Sequence, residues 1–442
     1  MERRRRTNGG MSRRRFLAAS AAAGTGVVFG PGILRAANAG DDINVALVGA
    51  GNQGRVLLKD SLKVPGIRFK AVCDIWSYSR RYAKGLLRKY KQTVNVYADF
   101  HEMLGAEKDL DAVLVATPDW MHAEYAVACM EAGKHVYCEK EMSNVLKAAG
   151  RMVLAARKSG KLLQIGHQRR SNPVYIHALE SLDKEKICGR ITNCYGQWNR
   201  MAQGKLEWPG KYEIPADVLK KYGYDTMDRF RNWRWYKKFS AGPIADLGSH
   251  QIDVFSWFLH SDPVSVMATA GHDYFKDREW YEDIMAVYDY KTAAGSVRAF
   301  YQVLNTSSYG DYFERFHGDG GALVISENAK ACCYVPEFGK SPPEWMGAVE
   351  PVMRNGKPAI PLVDALPKKG AAAAAAMADW EKKNAHQLHL ENFFSAIRAG
   401  DARKLTCPPE LAYPTAVAVL NVIPAVEMGK RIVLGEADYT VG

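Results

Sequence analysis

The sequence predicts an α/β protein, in which a doubly wound parallel sheet is followed by an α+β domain with a large, mainly antiparallel open sheet. Three observations predict it. Residues 43–54, Ile-Asn-Val-Ala-Leu-Val-Gly-Ala-Gly-Asn-Gln-Gly, run an apolar strand into a G-x-G-x-x-G turn, and Asp74 follows twenty residues after Gly54. Apolar runs then alternate with amphipathic stretches up to about Gly166, the rhythm of βαβ units. Beyond Gly166 the strands lengthen and the helices between them thin out, as in an antiparallel sheet.

The chain before the first strand reads differently. Ser12-Arg13-Arg14-Arg15-Phe16-Leu17 is followed by an Ala/Gly-rich, mildly apolar stretch to Leu34 and a small-residue site at Ala37-Asn38-Ala39. That order is the pattern of a twin-arginine export signal over residues 1–39, which predicts a periplasmic protein handled by the twin-arginine translocation machinery. Ala18 to Leu34 is too short and glycine-rich, with Pro31 inside, for a good membrane span. The first 39 residues hold eight Arg against one Glu, so residues 40–442 carry only about +5 of the formal +12. No basic stripe interleaved with aromatics stands on one element, which argues against a nucleic-acid partner. Eight cysteines fall in no C-x-x-C pair with matching ligands, so neither a metal site nor a disulfide framework is expected. Export in the folded state would let buried thiols escape oxidation.

The first domain is expected over residues 40–165. Gly49 permits the tight turn, Gly51 lets the backbone approach a pyrophosphate, and Gly54 lets the following helix pack closely. Asn52 and Gln53 begin that helix, whose N-terminal N–H groups face the anion. Asp74 ends the apolar run Ile67 to Cys73, where a carboxylate can accept hydrogen bonds from both ribose hydroxyls. It would repel a 2′-phosphate, so NAD is preferred, with NADP left open by Arg80 and Arg81. The strand, turn and acid together predict a Rossmann dinucleotide-binding domain. Asp111 to Thr117, His135 to Glu139 and Lys161 to Gly166 read as its further buried strands, separated by Ala123 to Ala132 and Ser143 to Ser159.

Residues 166–385 are expected to form the second domain, for substrate and oligomerisation. Its strands are Arg190 to Asn199, Asp283 to Tyr290, Gly295 to Leu304, Asp311 to His317 and Ala322 to Ser326. Residues 200–243, rich in aromatics, and 334–382 interrupt them as long loops. Helical segments His386 to Arg398 and Pro409 to Met428 close the chain within a C-terminal segment, 386–442.

Val45 to Gly54, the run Ala132-Gly133-Lys134-His135-Val136-Tyr137-Cys138-Glu139-Lys140, Gly166-His167-Gln168-Arg169-Arg170 and Asp246-Leu247-Gly248-Ser249-His250-Gln251-Ile252-Asp253 resemble the glucose-fructose oxidoreductase, inositol dehydrogenase and MocA family. The resemblance spans Ile43 to Glu427. It implies a Rossmann domain paired with an open antiparallel sheet, a nicotinamide cofactor, and oxidation or reduction of carbohydrate hydroxyls. It makes Lys140 the catalytic lysine and sets Glu139 beside the cofactor. Where the family has Glu-Lys-Pro, this chain has Glu141, which leaves the direction of Lys140 open. By the same likeness Thr117, Pro118 and His122 lie near the pyrophosphate and nicotinamide; on residues alone that stretch reads equally as a Pro-initiated turn capping a helix.

Such chemistry needs a base for the hydroxyl proton and positive charge near the developing alkoxide. Lys140 ends a parallel strand, where such sheets place ligands. Asp246, His250 and Asp253 fall at i, i+4 and i+7 and would share one helical stripe. His250 is assigned as general base in oxidation and general acid in reduction, with Asp246 contacting the hydroxyl or Lys140, and Asp253 left structural. Arg169, Arg170, Asn172 and Tyr175 leave the last Rossmann strand toward the second domain. Arg169, Arg170 and Tyr175 are candidates for substrate hydroxyls or a carboxylate, or else for ion pairs between domains. Trp233 and Arg234, in the aromatic segment, are further substrate candidates.

The expected function is an exported NAD(P)-dependent oxidoreductase acting on a CH–OH group of a sugar, polyol or sugar derivative. Outside the cytoplasm there is no useful pool of free NAD, so the cofactor would be tightly held. A second reading is NAD-assisted glycoside cleavage, in which transient oxidation at C3 acidifies the C2 proton and the C1 oxygen is eliminated. A third is a non-catalytic sugar-binding protein. An exposed sheet face would pair subunits into a homodimer or tetramer.

Overall fold

A computed structural model describes residues 42–202, 204–362 and 382–442. The export-signal reading falls on residues 1–39, outside the described residues.

The first domain alternates as its sequence rhythm requires: β1 (Ile43–Val48), α1 (Asn52–Ser61), β2 (Ile67–Cys73), α2 (Ser77–Lys89), β3 (Asn95–Tyr97), α3 (Phe100–Ala106), β4 (Ala112–Val115), α4 (Asp119–Glu131), β5 (His135–Cys138), α5 (Leu146–Ser159) and β6 (Leu163–Ile165). The strands form one parallel sheet in the order β3-β2-β1-β4-β5-β6. The order of strand succession reverses between β1 and β4, so the crevice for a ligand opens beyond their C-terminal ends. The central strands β1, β4 and β5 are largely apolar on both sides because helices cover both sheet faces; Val45, Leu47, Leu114 and Tyr137 face one core, and Ala46, Val48, Val113 and Cys138 the other.

A 3₁₀ turn at Gln168–Ser171 leads through α6 (Pro173–Asp183) into the second sheet, whose first long excursion carries the short helices α7 (Ala216–Lys221) and α8 (Met227–Arg231). Its strands are β7 (Ile191–Asn199), β8 (Pro263–Gly271), β9 (Asp283–Thr292), β10 (Gly295–Leu304), β11 (Tyr312–Gly318), β12 (Gly321–Ile325), β13 (Cys333–Pro336), β14 (Val352–Arg354), β15 (Lys357–Pro361) and the two-residue β16 (Ile432–Val433). They run β14-β15-β13-β12-β11-β7-β10-β9-β8-β16. Every pairing is antiparallel except β7 with β10, a parallel contact made possible by the long excursion between them. Period-two burial along β10, with Val297, Ala299, Tyr301 and Val303 inside, leaves one face covered and the other bare. Helix α9 (Ser249–Leu259) covers the inner face, where Phe258 stacks on Phe316 at 5.0 Å. Gly196 makes room for it, since a Cβ there would lie 2.7 Å from the Phe255 ring.

Two expectations are corrected. Residues 334–361, read as part of a loop, contain β14, β15 and most of β13, whose shortness and flanking Pro and Gly hid their alternation. The closing helices, α10 (Ala385–Ala399), α11 (Pro409–Leu420) and α12 (Val422–Met428), do not form a separate unit. Leu390, Phe393 and Phe394 of α10 enter the core on one face of the Rossmann sheet, and Ala412, Ala416 and Val417 of α11 the core on the other. Helices α10 and α11 therefore complete the first domain, while β16 adds an edge strand to the second sheet. All eight cysteines are buried and unpaired.

Candidate active site

The cofactor end of the site is built by backbone. β1 stops at Val48, and Gly49 turns with φ +87°, where an L side chain would also place its Cβ 2.6 Å from the Ala116 carbonyl oxygen. A Cβ on Gly54 would collide with the Gly49 carbonyl oxygen, so α1 can approach the turn this closely only with glycine there. Gly51 meets nothing within 4 Å, leaving open space above the helix N-terminus. That space is where an anion can be received. The cradle therefore fits a dinucleotide diphosphate.

Asp74 lies at its edge. Its Oδ2 accepts from the Ala50 N–H and its Oδ1 from the Trp76 N–H, both at 2.8 Å, which fixes the carboxyl plane beside the ribose position. Burial raises its pKa, against the lowering effect of those two amides. Asn52, Gln53, Thr117 and Pro118 line the same cleft. Gln53 donates to Glu139 Oε1 at 2.9 Å, so Glu139, buried, is held by a cofactor-side residue. His122 is a brace: its ring is 2.7 Å from both the Glu141 and the Thr117 carbonyl oxygens, tying the β4–α4 turn to the segment after β5. Burial pulls its pKa down, while the two carbonyls oppose that shift.

At the other end Lys140 leaves β5 through a cis peptide to Glu141. Its ammonium donates to the Asp246 carbonyl oxygen at 2.5 Å and stands 3.5 Å from Asp246 Oδ1. Asp246 sits on a π-helical turn, Ile244–Gly248, directly before α9. The spacing had suggested a single α-helical stripe for Asp246, His250 and Asp253. The wider turn breaks that stripe and brings only Asp246 and His250 to the cleft. Asp253 faces inward, bonded by the Arg170 guanidinium at 2.8 to 3.1 Å and by Thr415 Oγ1 at 3.0 Å. Burial works to raise the Asp246 pKa, but Arg234 at 3.1 Å, Lys140 and Arg200 at 3.7 Å hold it well below the carboxylate range. His250 is buried beside Trp198, with ring centroids 5.5 Å apart and its Nδ1 without a partner. Burial and then Lys140 depress its pKa strongly, so the imidazole is neutral at neutral pH.

Glu141, in the position where the family carries proline, is buried with Oε2 unpartnered, and burial pushes its pKa to about 8. Its folded pKa exceeds the unfolded value of 4.5, so the stability it contributes is complete below pH 4.5 and is lost as pH rises toward 8. Glu141→Gln should match wild type at pH 5 and exceed it at pH 8.5, by an amount on the order of a few kcal/mol in urea unfolding. Equal stability of the two at both pH values would contradict a protonated buried carboxyl.

Arg169, Arg170 and Tyr175 do not reach the cleft, so their assignment to substrate is corrected. Arg169 is 1% exposed and pairs with Glu314 and, at 3.3 Å, with Glu327. Tyr175 donates to Glu314 Oε2 at 3.0 Å, and Arg170 is spent on Asp253. The turn after β6 rolls these side chains into the seam between the two domains, the alternative the sequence had left open. Removing one member of such a pair leaves a buried charge uncompensated. Arg169→Met should cost about 3–5 kcal/mol in chemical denaturation, a larger loss than any substrate-contact residue would give. Trp233 and Arg234 do line the cleft, with the Arg234 guanidinium 4.2 Å over the Trp233 ring.

Sequence reasoning gave no individual role to Trp198 and Arg200 at the end of β7, to Asp119, noted only within the 117–122 stretch as Trp198 is within the aromatic segment, or to Phe275, Arg278 and Trp280 from the β8–β9 loop, which all line the cleft of about 640 Å³. The only signal for the first pair was a tryptophan and an arginine closing a strand. Asp119 is buried, accepts from Ser240 Oγ at 3.3 Å, and is pushed by burial to about 6.

A parallel sheet with a glycine cradle, joined to a second domain that supplies charged and imidazole groups to one cleft, defines a two-domain dinucleotide-binding protein. Two family models match, "Oxidoreductase family, NAD-binding Rossmann fold" over residues 43–167 and "GFO/IDH/MocA C-terminal domain" over residues 214–324. The chain belongs to the GFO/IDH/MocA oxidoreductase family, and its first domain is an NAD-binding Rossmann domain. Inositol 2-dehydrogenase of Salmonella paratyphi B is 31% identical over 200 residues, 45% of this chain and 49% of that protein. 1,5-Anhydro-D-fructose reductase of Ensifer adhaerens is 27% identical over 225 residues, 50% of this chain and 59% of that one. The chain thus spans about half the length of the curated relatives it matches. Among solved structures, aldose-aldose oxidoreductase from Caulobacter crescentus superposes with a TM-score of 0.66 at 17% identity, covering 89% of this chain and 100% of that one. Levoglucosan dehydrogenase in complex with NADH and levoglucosan gives 0.65 at 17% identity, with the same coverage. At these identities the superpositions speak for the fold alone.

Proposed function

We propose that this protein is an exported NAD(P)-dependent oxidoreductase acting on a CH–OH group of a sugar, polyol or sugar derivative, with Lys140 and His250 handling the proton. The observation that carries this reading is that both side chains line the one cleft that begins at the glycine cradle. When bound, the nicotinamide supplies the hydride acceptor or donor. The rest falls to the chain. Lys140, anchored by the Asp246 carbonyl and carboxylate, presents an ammonium that lowers the pKa of a nearby hydroxyl. His250, neutral and water-poor, accepts the hydroxyl proton in oxidation and returns it in reduction. Trp198 and Trp233 offer aromatic faces to the C–H side of a ring.

Retention of the cofactor is supported by the aromatic segment that follows β7. Trp76, just past β2, is buried with Ile214, Leu219, Tyr224, Met227, Tyr236 and Phe239, all from that segment. Trp76 Nε1 donates to the Tyr212 carbonyl at 2.6 Å, Lys221 pairs with Asp99 at 3.1 Å, and Asn144 donates to the Lys238 carbonyl at 3.2 Å. The segment is therefore strapped across the C-terminal ends of the Rossmann strands, where it would slow the release of a bound cofactor. A retained cofactor suits a protein working outside the cytoplasm, which the arginine pair and small-residue site before Gly40 favour.

Glycoside cleavage without net redox change is the second reading. It gains from the aromatic lining continuing to Phe275 and Trp280, which leaves room for a group beyond the reacting ring. The partner we propose is a second copy of the chain on the bare sheet face. There Tyr195 stacks on Phe300 at 5.4 Å and on Phe313 at 5.7 Å, and Met267 and Met285 are 54% and 40% exposed.

The test is to purify the protein from an export-competent host and read nicotinamide absorbance at 340 nm during addition of a carbohydrate panel. Reduction of co-purified nicotinamide is expected. A protein with neither bound nicotinamide nor affinity for it would end both enzyme readings, and release of aryl aglycone with no net NADH would replace the first by the second.

A further inference from the structure

The cleft's accessible polar groups are unevenly charged. Asp119, Glu139 and Glu282 line it but are buried and engaged: Asp119 accepts from Ser240, Glu139 from Gln53, and Glu282 from the backbone N–H groups of Asp273 and Tyr274. Two partly exposed acids are engaged as well, Asp74 by the Ala50 and Trp76 amides and Glu327 by Arg169 at 3.3 Å and Gln168 at 3.1 Å. Arg200 and Arg234 are the opposite case. Their side chains are 47% and 49% exposed, although their guanidinium groups converge with Lys140 on the single carboxylate of Asp246, whose own side chain is only 18% exposed. The Trp233 face holds the Arg234 guanidinium at 4.2 Å, and the Trp198 face lies 5.9 Å from that of Arg200.

That arrangement selects ligand chemistry. Arginine has five donors and no acceptor, so two half-exposed guanidinium groups side by side are best satisfied by an acceptor-only group bearing charge. A hydroxyl satisfies them less well, because its own proton is left facing donors. Around Asp246 stand three cations, offset by Asp246 itself and, beneath them, by Asp119. Glu139, also buried in the lining, acts on Arg234 too, so the positive excess is small and suits a singly charged carboxylate better than a phosphate dianion.

Resting on the carbohydrate oxidoreductase reading above, we infer that the substrate is a carboxylate-bearing carbohydrate, a uronic or aldonic acid, whose carboxylate is held by Arg200 and Arg234. The acid is then anchored one residue's reach from Lys140, and the hydroxyl to be oxidised belongs to the same molecule. In oxidation the C–H hydrogen leaves with its electron pair to the nicotinamide, the hydroxyl proton goes to His250, and the carbonyl forms with the carboxylate unchanged.

The experiment titrates the purified full chain, followed by tryptophan fluorescence and calorimetry, with D-glucuronate, D-galacturonate, D-mannuronate, D-gluconate and D-galactonate against glucose, galactose, mannose and glucose 6-phosphate. At least one acid should bind ten-fold or more tighter than its parent hexose, with the preference shrinking in 0.5 M NaCl. Arg200→Ala should weaken the acid's affinity about ten-fold more than that of its parent hexose, and Arg200→Lys should restore part of the difference. The inference is overturned if hexoses bind as well as acids, if none of the acids binds, if Arg200→Ala weakens both classes alike, or if glucose 6-phosphate is preferred. Its failure is distinct from that of the reading beneath it. A neutral sugar that reduces the cofactor without any preference for acids sinks only the carboxylate site. Selective acid binding to a protein whose nicotinamide no sugar ever reduces sinks the oxidoreductase reading instead.

Discussion

Lys140→Met should lower kcat by about 10³-fold or more while leaving nicotinamide retention within two-fold of wild type. The magnitude follows from removing a preorganised positive charge beside a developing alkoxide, where one lost donor already costs about 10²–10³-fold. The substitution keeps the length of the side chain and its packing but deletes the ammonium that the Asp246 carbonyl and carboxylate position. Cofactor retention should survive because the glycine cradle and Asp74, which would hold the dinucleotide, owe their geometry to contacts that do not involve Lys140. His250→Ala should lose turnover as well, by about 10²–10⁴-fold, the usual worth of a general base. Since burial and Lys140 depress the His250 pKa, the acid limb of the wild-type oxidation profile should lie well below the ordinary histidine range. Wild-type single-turnover rates in either variant, measured by stopped-flow absorbance of the bound nicotinamide, would remove that residue from the chemistry.

How much of this was legible beforehand depended on the range of the interaction involved. The glycine cradle was readable in full because its constraints are local, set by a positive φ at Gly49 and by a helix packed against its own preceding turn at Gly54. Lys140 was legible only through the family resemblance. Nothing in Cys-Glu-Lys-Glu announces that the ammonium will find a carbonyl 106 residues away. Arg169, Arg170 and Tyr175 were misassigned for the same reason in reverse, because a charge just past a strand end can turn toward a cleft or into a seam. What decided it was Glu314, 145 residues from Arg169. The return of α10 and α11 to the Rossmann core is likewise a matter of tertiary packing, which amphipathic periodicity cannot address to one domain or the other. The π turn at Ile244–Gly248 shifts the helical register within a few residues, so Asp253 faces inward onto Arg170 while Asp246 and His250 reach the cleft.

Gly54→Val should abolish cofactor retention and destabilise the fold together, whereas Gly51→Ala should impair the first and spare the second. A Cβ on Gly54 meets the Gly49 carbonyl, a backbone atom that no side-chain rotation can clear, so α1 must move off the turn. Overpacking of that kind costs about 1–3 kcal/mol and more when backbone must yield. It also swings away the N-terminal N–H groups that receive the diphosphate. Gly51 differs because its Cβ position meets no protein atom within 4 Å, so Gly51→Ala folds without conflict and its methyl occupies only the space the diphosphate needs. The expected readout is a thermal midpoint lowered by several degrees for Gly54→Val and within about 1 °C of wild type for Gly51→Ala, with apparent NAD affinity reduced about 100-fold or more in both, equivalent to roughly 2.7 kcal/mol. A Gly51→Ala protein that binds NAD like wild type would mean that the dinucleotide does not approach this turn, and Lys140 and His250 would then have lost the partner that gives their placement its chemical meaning.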